Sequence, residues 1–380
     1  MIRTASIRLD VTPEQAAALG ALRSAYAQAC NRLVPMVCEH RVWNRVGLHQ
    51  RAYRSLRQSS PLGSQMVCNA IFSVCKAYRA QRALGRIRRD EPVPTLRFDR
   101  ASVHYDQRTY TIQANGVSLN TLKGRVSVPW ILAEHQRTIL QSGRAKEAEL
   151  VLRDGQWFFN LVVESVDPPT RASGPVMGVD VGENTLAATS TGKVWGGASL
   201  RHRRDRYLAL RSRLQSNGSQ SARQKLRQVS GKERRRVRHV NHETSKAIVQ
   251  EALRAGVAKI RMEDLTHIRE RIRAGKRLRR RLHRWAFRQL QRFVEYKARA
   301  AGLAVEYVEP AYSSRTCAAC GGLGERLRHR FVCQQCGLRA HADLNASRNL
   351  ARIGESALSP RAAVNTPDVG DTGSYVQVSP

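Results

Sequence analysis

Two cysteine pairs late in this chain, Cys317-x-x-Cys320 and Cys333-x-x-Cys336, limit what it can fold into more than any other feature. Twelve residues separate the pairs, and each pair is followed by a glycine, Gly321 or Gly337. Four thiolates at this spacing suit a tetrahedral zinc ion, and a four-sulfur shell leaves no open position for water, so the expected metal is one structural Zn²⁺. His329 and His341 remain alternative ligands at this stage. The other four cysteines (Cys30, Cys38, Cys68, Cys75) are scattered through a helical pattern and read as reduced core residues.

The elements around this block read as a multidomain α/β chain. Thr12-Pro13-Glu14 is a helix start, an N-cap followed by proline in the first turn, and apolar residues then recur at helical spacing to about Leu84. From Pro92 to Val166 the pattern alternates, with hairpin signals at Asn115-Gly116 and Asp154-Gly155, and implies a β-barrel or curled sheet. The stretch 167–175 is a Pro-, Gly- and Ser-containing linker. Beyond it come three short strands, a helical stretch from Arg201 to about Ala255 ended by Gly256, and a fourth strand, "VAKIRMEDL". A helix from about Arg284 to Ala301, a fifth strand, the cysteine block and a last helix from Leu344 to Ile353 follow. Three antiparallel strands, helix, strand, helix, strand, helix is the order of the ribonuclease H-like fold. The small, polar tail 355–380 reads as disordered.

Three acids stand at the ends of different elements in this order. Asp180 lies in the first strand of the set, followed by Gly182, which would leave open space beside it. Glu263 ends the fourth strand, where an unpaired carboxylate is costly to bury, with Asp264 as a substitute. Asp343 opens the last helix. Singly these could be a turn residue, a surface pair and a helix cap. In this fold the first and fourth strands are neighbours, so the three would converge on one cleft. Clustered oxygen ligands suit Mg²⁺ or Mn²⁺, and two such ions support phosphodiester cleavage.

Charge points to the same class of substrate. The chain has 65 Lys and Arg against 30 Asp and Glu, a net charge of +35, which implies a polyanionic partner. The basic residues gather in two runs: Arg201–Arg238, with 14 cations against Asp205 and Glu233, and Arg269–Arg284, with nine against Glu270. From these, Arg203, Arg204, Arg234, Arg235, Arg236, Arg279, Arg280 and Arg281 are the candidate nucleic-acid contacts, and Arg326, Arg328 and Arg330 are a further guess within the cysteine block. Aromatics make up only 6% of the chain, so broad base-stacking platforms are not expected, and Trp43, Tyr53 and Tyr78 read as core. No apolar run approaches the roughly 18 to 20 residues of a membrane span, and "MIRTASIRLD" lacks the apolar stretch of a signal peptide. The expected location is the cytoplasm, with nucleoid association and no membrane partner.

The segments "GVDVGENTLAATSTGK", "IRMEDLTHI", "LQRFVEYKARAAGLAVEYVEP" and "YSSRTCAACGG…FVCQQCGLRAHADLNASRNLAR" closely resemble TnpB, a family of RNA-guided nucleases of bacterial and archaeal insertion sequences related to type V CRISPR effectors. The resemblance spans nearly the whole chain. It implies a wedge-like β-barrel over 1–11 and 91–166, a helical recognition lobe over 12–90, and a RuvC-like nuclease domain over 176–354 with a zinc ribbon at 313–340. Asp180, Glu263 and Asp343 match the family's three catalytic acids, and the four cysteines match the ribbon. The resemblance further implies Mg²⁺-dependent cleavage of target DNA and a guide RNA from the element's own end. Ala342 departs from the family, which more often has a basic residue just before the aspartate. Two other readings stand beside cleavage: guide-dependent DNA binding without cutting, and strand-joining transposition.

Overall fold

The computed structural model describes residues 1–99, 101–182, 184–265, 287–309 and 315–353. The run Arg269–Arg284 and the tail 355–380 therefore lie outside the described residues. The chain forms two compact units, Met1–Val166 and a second beginning at Asp167. Among the described residues no helix is long and apolar enough to cross a membrane.

The first unit is a seven-stranded antiparallel sheet with three helices inserted after its first strand, β1 (Ile2–Leu9). Thr12 caps α1 (Pro13–His40): its hydroxyl accepts from the Gln15 N–H, and the Gln15 side chain returns to the Thr12 N–H. The long helical stretch of the sequence divides into α1, α2 (Arg45–Ser59) and α3 (Ser64–Ala83). The first break falls at Arg41, which adopts positive φ after α1, and Asn44 then caps α2. Leu22, Tyr26, Leu33, Leu48, Ile71 and Tyr78 bury fully in the unit's core, where Cys30 and Cys75 also lie as free thiols.

The remaining strands are β2 (Val103–Tyr105), β3 (Tyr110–Gln113), β4 (Gly116–Thr121), β5 (Gly124–Ile131), β6 (Arg144–Arg153) and β7 (Gln156–Glu164). Their order in the sheet is β2-β6-β7-β1-β5-β4-β3. The two outermost strands, β2 and β3, are joined by a short turn in which Thr109 N–H donates to the Asp106 carbonyl at 3.0 Å. That turn draws the two edges toward each other, and the sheet is nearly closed. Asp154 and Gly155 both take positive φ between β6 and β7, as a tight hairpin of this sequence requires. One helix, α4 (Glu134–Gln141), interrupts a stretch the sequence presents as all strand. It buries only Ile139, so it leaves no helical periodicity to read.

The second unit is built on a five-stranded mixed sheet of β8 (Val176–Asp180), β9 (Thr185–Thr189), β10 (Val194–Gly196), β11 (Lys259–Glu263) and β12 (Ala304–Val308). Its order is β10-β9-β8-β11-β12, with β8, β11 and β12 parallel to one another and β9 antiparallel to both of its neighbours, β8 and β10. The single helix expected from Arg201 is two, α5 (Ala198–Asn217) and α6 (Gln220–Arg254). Gly218 breaks it at φ +66°, and the Ser219 hydroxyl caps α6. The next described helix is α7 (Phe287–Ala300), after which Gly302 turns the chain at φ +72°.

Alternation along β8 and β11 sets the two faces of this sheet. Met177, Val179, Ile260 and Met262 join Ile248 of α6 and Leu290 and Val294 of α7 in one apolar cluster. The opposite face carries Gly178 and receives the last helix, α8 (Ala342–Arg352). A Cβ at Gly178 would lie 2.6 Å from the Ala351 N atom and closer still to the Ser347 carbonyl oxygen. Helix and strand therefore meet backbone to backbone. Gly178→Ala is expected to destabilise the second unit by about 3 kcal/mol, measured by denaturant unfolding followed by circular dichroism, because neither backbone can yield to the added methyl.

Candidate active site

The cysteine block folds as a three-stranded antiparallel ribbon of β13 (Gly324–Leu327), β14 (Arg330–Cys333) and β15 (Arg339–His341). The four cysteine sulfurs all lie within 4.8 Å of one another, with Cys317–Cys336 and Cys320–Cys333 each at 3.6 Å. A zinc ion with Zn–S bonds near 2.3 Å needs sulfurs about 3.8 Å apart, so the set fits tetrahedral zinc. Among the described residues no other group of three or more potential ligands gathers this closely. His341 lies instead beside Asp343, with Nδ1 at 4.0 Å from a carboxylate oxygen.

β15 runs into α8 with no connecting residue, so the ribbon delivers Asp343 directly. The ribbon is also clamped to the helix. Thr316 O accepts from Asn345 Nδ2 at 2.7 Å and from Asn349 Nδ2 at 2.6 Å, while Asn345 Oδ1 accepts from Ala318 N–H at 2.9 Å. Arg352, one turn further on, donates to the Ala318 carbonyl. Ala342, where a basic residue is more usual, packs fully buried with Cys317, Phe331 and Cys333 in the ribbon's small core. The far end of α8 is held from the sheet: Arg261 of β11 donates to the carbonyls of Leu350 at 3.3 Å and Ala351 at 2.9 Å. A cation at a helix C-terminus also meets the negative end of the helix dipole. Glu306 of β12, opposite Arg261 in register, pairs with it at 3.1 Å.

Asp180 and Glu263 are the last residues of β8 and β11, whose register pairs Val179 with Met262 just before them. Asp343 lies in the first turn of α8, 8% exposed. Burial pushes the Asp180 carboxyl well above the ordinary carboxylate range, and the charges of Glu263 and Asp343 push it the same way. The Arg326 guanidinium and the Val181 N–H oppose that shift. Asp180 thus lies near enough to both other acids to be repelled by each. Arg326, on β13, donates to Asp343 Oδ1 at 2.7 Å, so this ribbon arginine faces the acids. Asp264 points elsewhere: it lies 4.0 Å from Arg288 and adds its charge to the surroundings of Tyr307. Gln291, fully buried, donates to the Glu263 carbonyl at 2.7 Å and fixes the end of β11.

Gly182 does not open space beside Asp180. A Cβ there would approach the Thr185 carbonyl oxygen to 2.9 Å, so the glycine answers a close pass of the chain. Of the basic residues, Arg203, Arg234, Arg235 and Arg236 are exposed on α5 and α6. Arg204 instead turns inward to the buried Glu233 at 3.9 Å, where Arg211 also reaches at 3.4 Å, and helps join the two helices. Arg279, Arg280 and Arg281 lie outside the described residues.

Comparison with known proteins first defines a class. Residues 160–269 match the family model OrfB_IS605, described as "Probable transposase", and residues 287–350 match the Cas12f1-like TNB domain. A TnpB-like protein of Methanocaldococcus jannaschii is 45% identical over 130 residues, covering 33% of this chain and 45% of that one. The CRISPR-associated endodeoxyribonuclease Cas12f1 of Sulfoacidibacillus thermotolerans is 30% identical over 258 residues, 60% of each chain. A cryo-EM structure of a Cas12f1–sgRNA–target DNA complex shares the fold, with a TM-score of 0.60 at 14% identity over 90% of this chain and 83% of that one. The chain is a relative of the TnpB-like proteins and the Cas12f1 effectors, and its matches span about half the length of the two curated relatives.

Elemental analysis of the purified protein is expected to find about one zinc per chain, lost in Cys333→Ser. Asn345→Ala should lower stability by about 2–3 kcal/mol in denaturant unfolding, because it strands the buried Ala318 N–H and one bond of Thr316 O.

Proposed function

We propose that this protein is an RNA-guided, Mg²⁺-dependent DNA endonuclease with a RuvC-type site on a ribonuclease H-like domain. The observation that carries the reading is the convergence of three carboxylates, Asp180, Glu263 and Asp343, from two adjacent strand ends and one helix start. The repulsion of Asp180 by Glu263 and Asp343 is a condition a divalent cation would relieve, and carboxylate oxygens suit Mg²⁺ or Mn²⁺. Two such ions, held by these three side chains, would activate water and stabilise the leaving oxygen of a phosphodiester. The chain's own part is to hold the acids rigidly: Gln291 fixes the Glu263 strand end, and Arg261 and the asparagine clamp fix α8 beneath Asp343. Arg326 carries positive charge to the same place, where a scissile phosphate would bring negative charge.

The guided part of the reading is supported by the relatives' names and by the exposed arginines of α5 and α6. The protein would hold an RNA–DNA duplex through its backbone, while base pairing selects the sequence. The guide would come from the element's own end. The name of the OrfB_IS605 model favours a second reading, strand joining by the same acids.

The test is expression with the flanking genomic sequence, sequencing of co-purifying RNA, and plasmid cleavage in Mg²⁺. One defined RNA and cutting at the matching target are expected. Asp180→Asn, Glu263→Gln and Asp343→Asn should each reduce cleavage on the order of 100-fold or more while leaving RNA bound. Joined strands in place of cut ones would move the assignment to transposition. Target occupancy with no cutting in Mg²⁺ or Mn²⁺ would reduce it to guided binding.

A further inference from the structure

On the other face of the second unit's sheet, where α6 packs beside α7, lies a cluster that the carboxylate site does not use. His242 of α6 stacks on Phe293 of α7, with ring centroids 3.9 Å apart and planes inclined by 15°. Tyr296, one turn on, meets Phe293 edge to face at 6.0 Å, and its hydroxyl lies 3.4 Å from His242 Nδ1. Lys297 reaches back across the seam to donate to the His242 carbonyl at 2.5 Å and Ser245 Oγ at 2.6 Å. Its ammonium also lies 5.8 Å from the Tyr296 ring and 6.0 Å from that of Phe293. All three rings keep part of their surface exposed.

The charge of this cluster is uncompensated. Lys297 is half-buried, yet its partners are one carbonyl, one hydroxyl and two ring faces; among the described residues no carboxylate pairs with it. The one charge that shifts it, Lys246, is also positive, and the carboxylate beside the cluster on α6, Glu243, is engaged by His239 at 3.2 Å. Arg238 and Lys246 flank His242 one turn to either side on α6, and both are exposed without a carboxylate partner among the described residues. Burial first, then the charge of Lys246, lowers the Lys297 ammonium to about 8. A partly desolvated cation among cations is unfavourable unless an anion completes it. Rings beside such an anion site suit a ligand that carries a flat base on a phosphate chain.

We propose that the α6–α7 seam is a second nucleic-acid site, taking the phosphates of a single strand on Arg238, Lys246 and Lys297 and a base against the ring of Tyr296. It relies on the nucleic-acid reading only for the class of ligand and lies apart from the acids. A strand held here would be tracked on the face of the sheet away from the cleavage site.

The test uses full-length protein stripped of nucleic acid in high salt, with a labelled oligothymidylate strand followed by fluorescence anisotropy across a salt series. In the double variant R238Q/K246Q, and separately in Lys297→Gln, the slope of log affinity against log salt should fall by about 0.7 for each cation removed. Tyr296→Leu, which changes no charge, should weaken binding about tenfold, and Tyr296→Phe should bind as the parent does. Parental affinity in Tyr296→Leu overturns the site, even where the charge variants weaken binding, since a featureless basic surface gives that result. Unchanged slopes in the charge variants overturn it as well. Failure of the unaltered protein to bind the strand overturns the seam alone, because the guided reading is decided separately by the co-purifying RNA and plasmid cleavage.

Discussion

The second unit depends on one close approach, the contact of α8 with β8 at Gly178. A side chain there would drive the helix off the sheet, and with it Asp343 away from Asp180. Everything else about α8 reinforces this seat. Asn345 and Asn349 bind the ribbon to one end of the helix, and Arg261 binds the sheet to the other. Tight packing of this kind transmits small displacements instead of absorbing them. The position of Asp343 is therefore set by a glycine, two asparagines and an arginine that do not themselves belong to the carboxylate cluster.

The cysteine ribbon takes its meaning from the same arrangement. A zinc shell of four cysteines would be closed, so it would contribute chemistry to no substrate. What it contributes is order: a short three-stranded sheet, too small to hold itself together through its own core, becomes stiff once four sulfurs share an ion. The ribbon then fixes both the start of α8 and the direction of Arg326. A buried carboxylate beside two others, as Asp180 is, is an unfavourable element in any fold, and here rigid neighbours hold it in place.

Much of this was legible in the sequence, and the reasons differ by element. The cysteine ribbon was readable because its ligand spacing admits few alternatives. The adjacency of β8 and β11, whose last residues are Asp180 and Glu263, was readable because strand order alone brings these strand ends together. The hairpin at Asp154-Gly155 was readable because few residue pairs tolerate two positive φ angles. What could not be read depends on contacts distant in sequence. Gly182 looked like a gap and is a close pass of the chain at Thr185. Arg204 looked like its exposed neighbour Arg203 and is turned in toward Glu233, a distinction made by helix phase across two helices. Gln291 and Arg261 carried no local signal at all, since their partners, main-chain carbonyls and for Arg261 also Glu306, lie elsewhere in the sequence. The spacing of Asn345, Asn349 and Arg352, one helical face in a short segment, was the one trace of the clamp available in advance.

The three acids also have an order in time. Asp180, Glu263 and Asp343 are separated by 83 and 80 positions along the chain, and the last arrives only when α8 has left the ribosome. Until then the ends of β8 and β11 have no third carboxylate beside them. A growing or prematurely ended chain that lacks α8 thus lacks the third acid and the helix that seats on β8 at Gly178. Assembly of the cluster reports that the second unit has been made through α8.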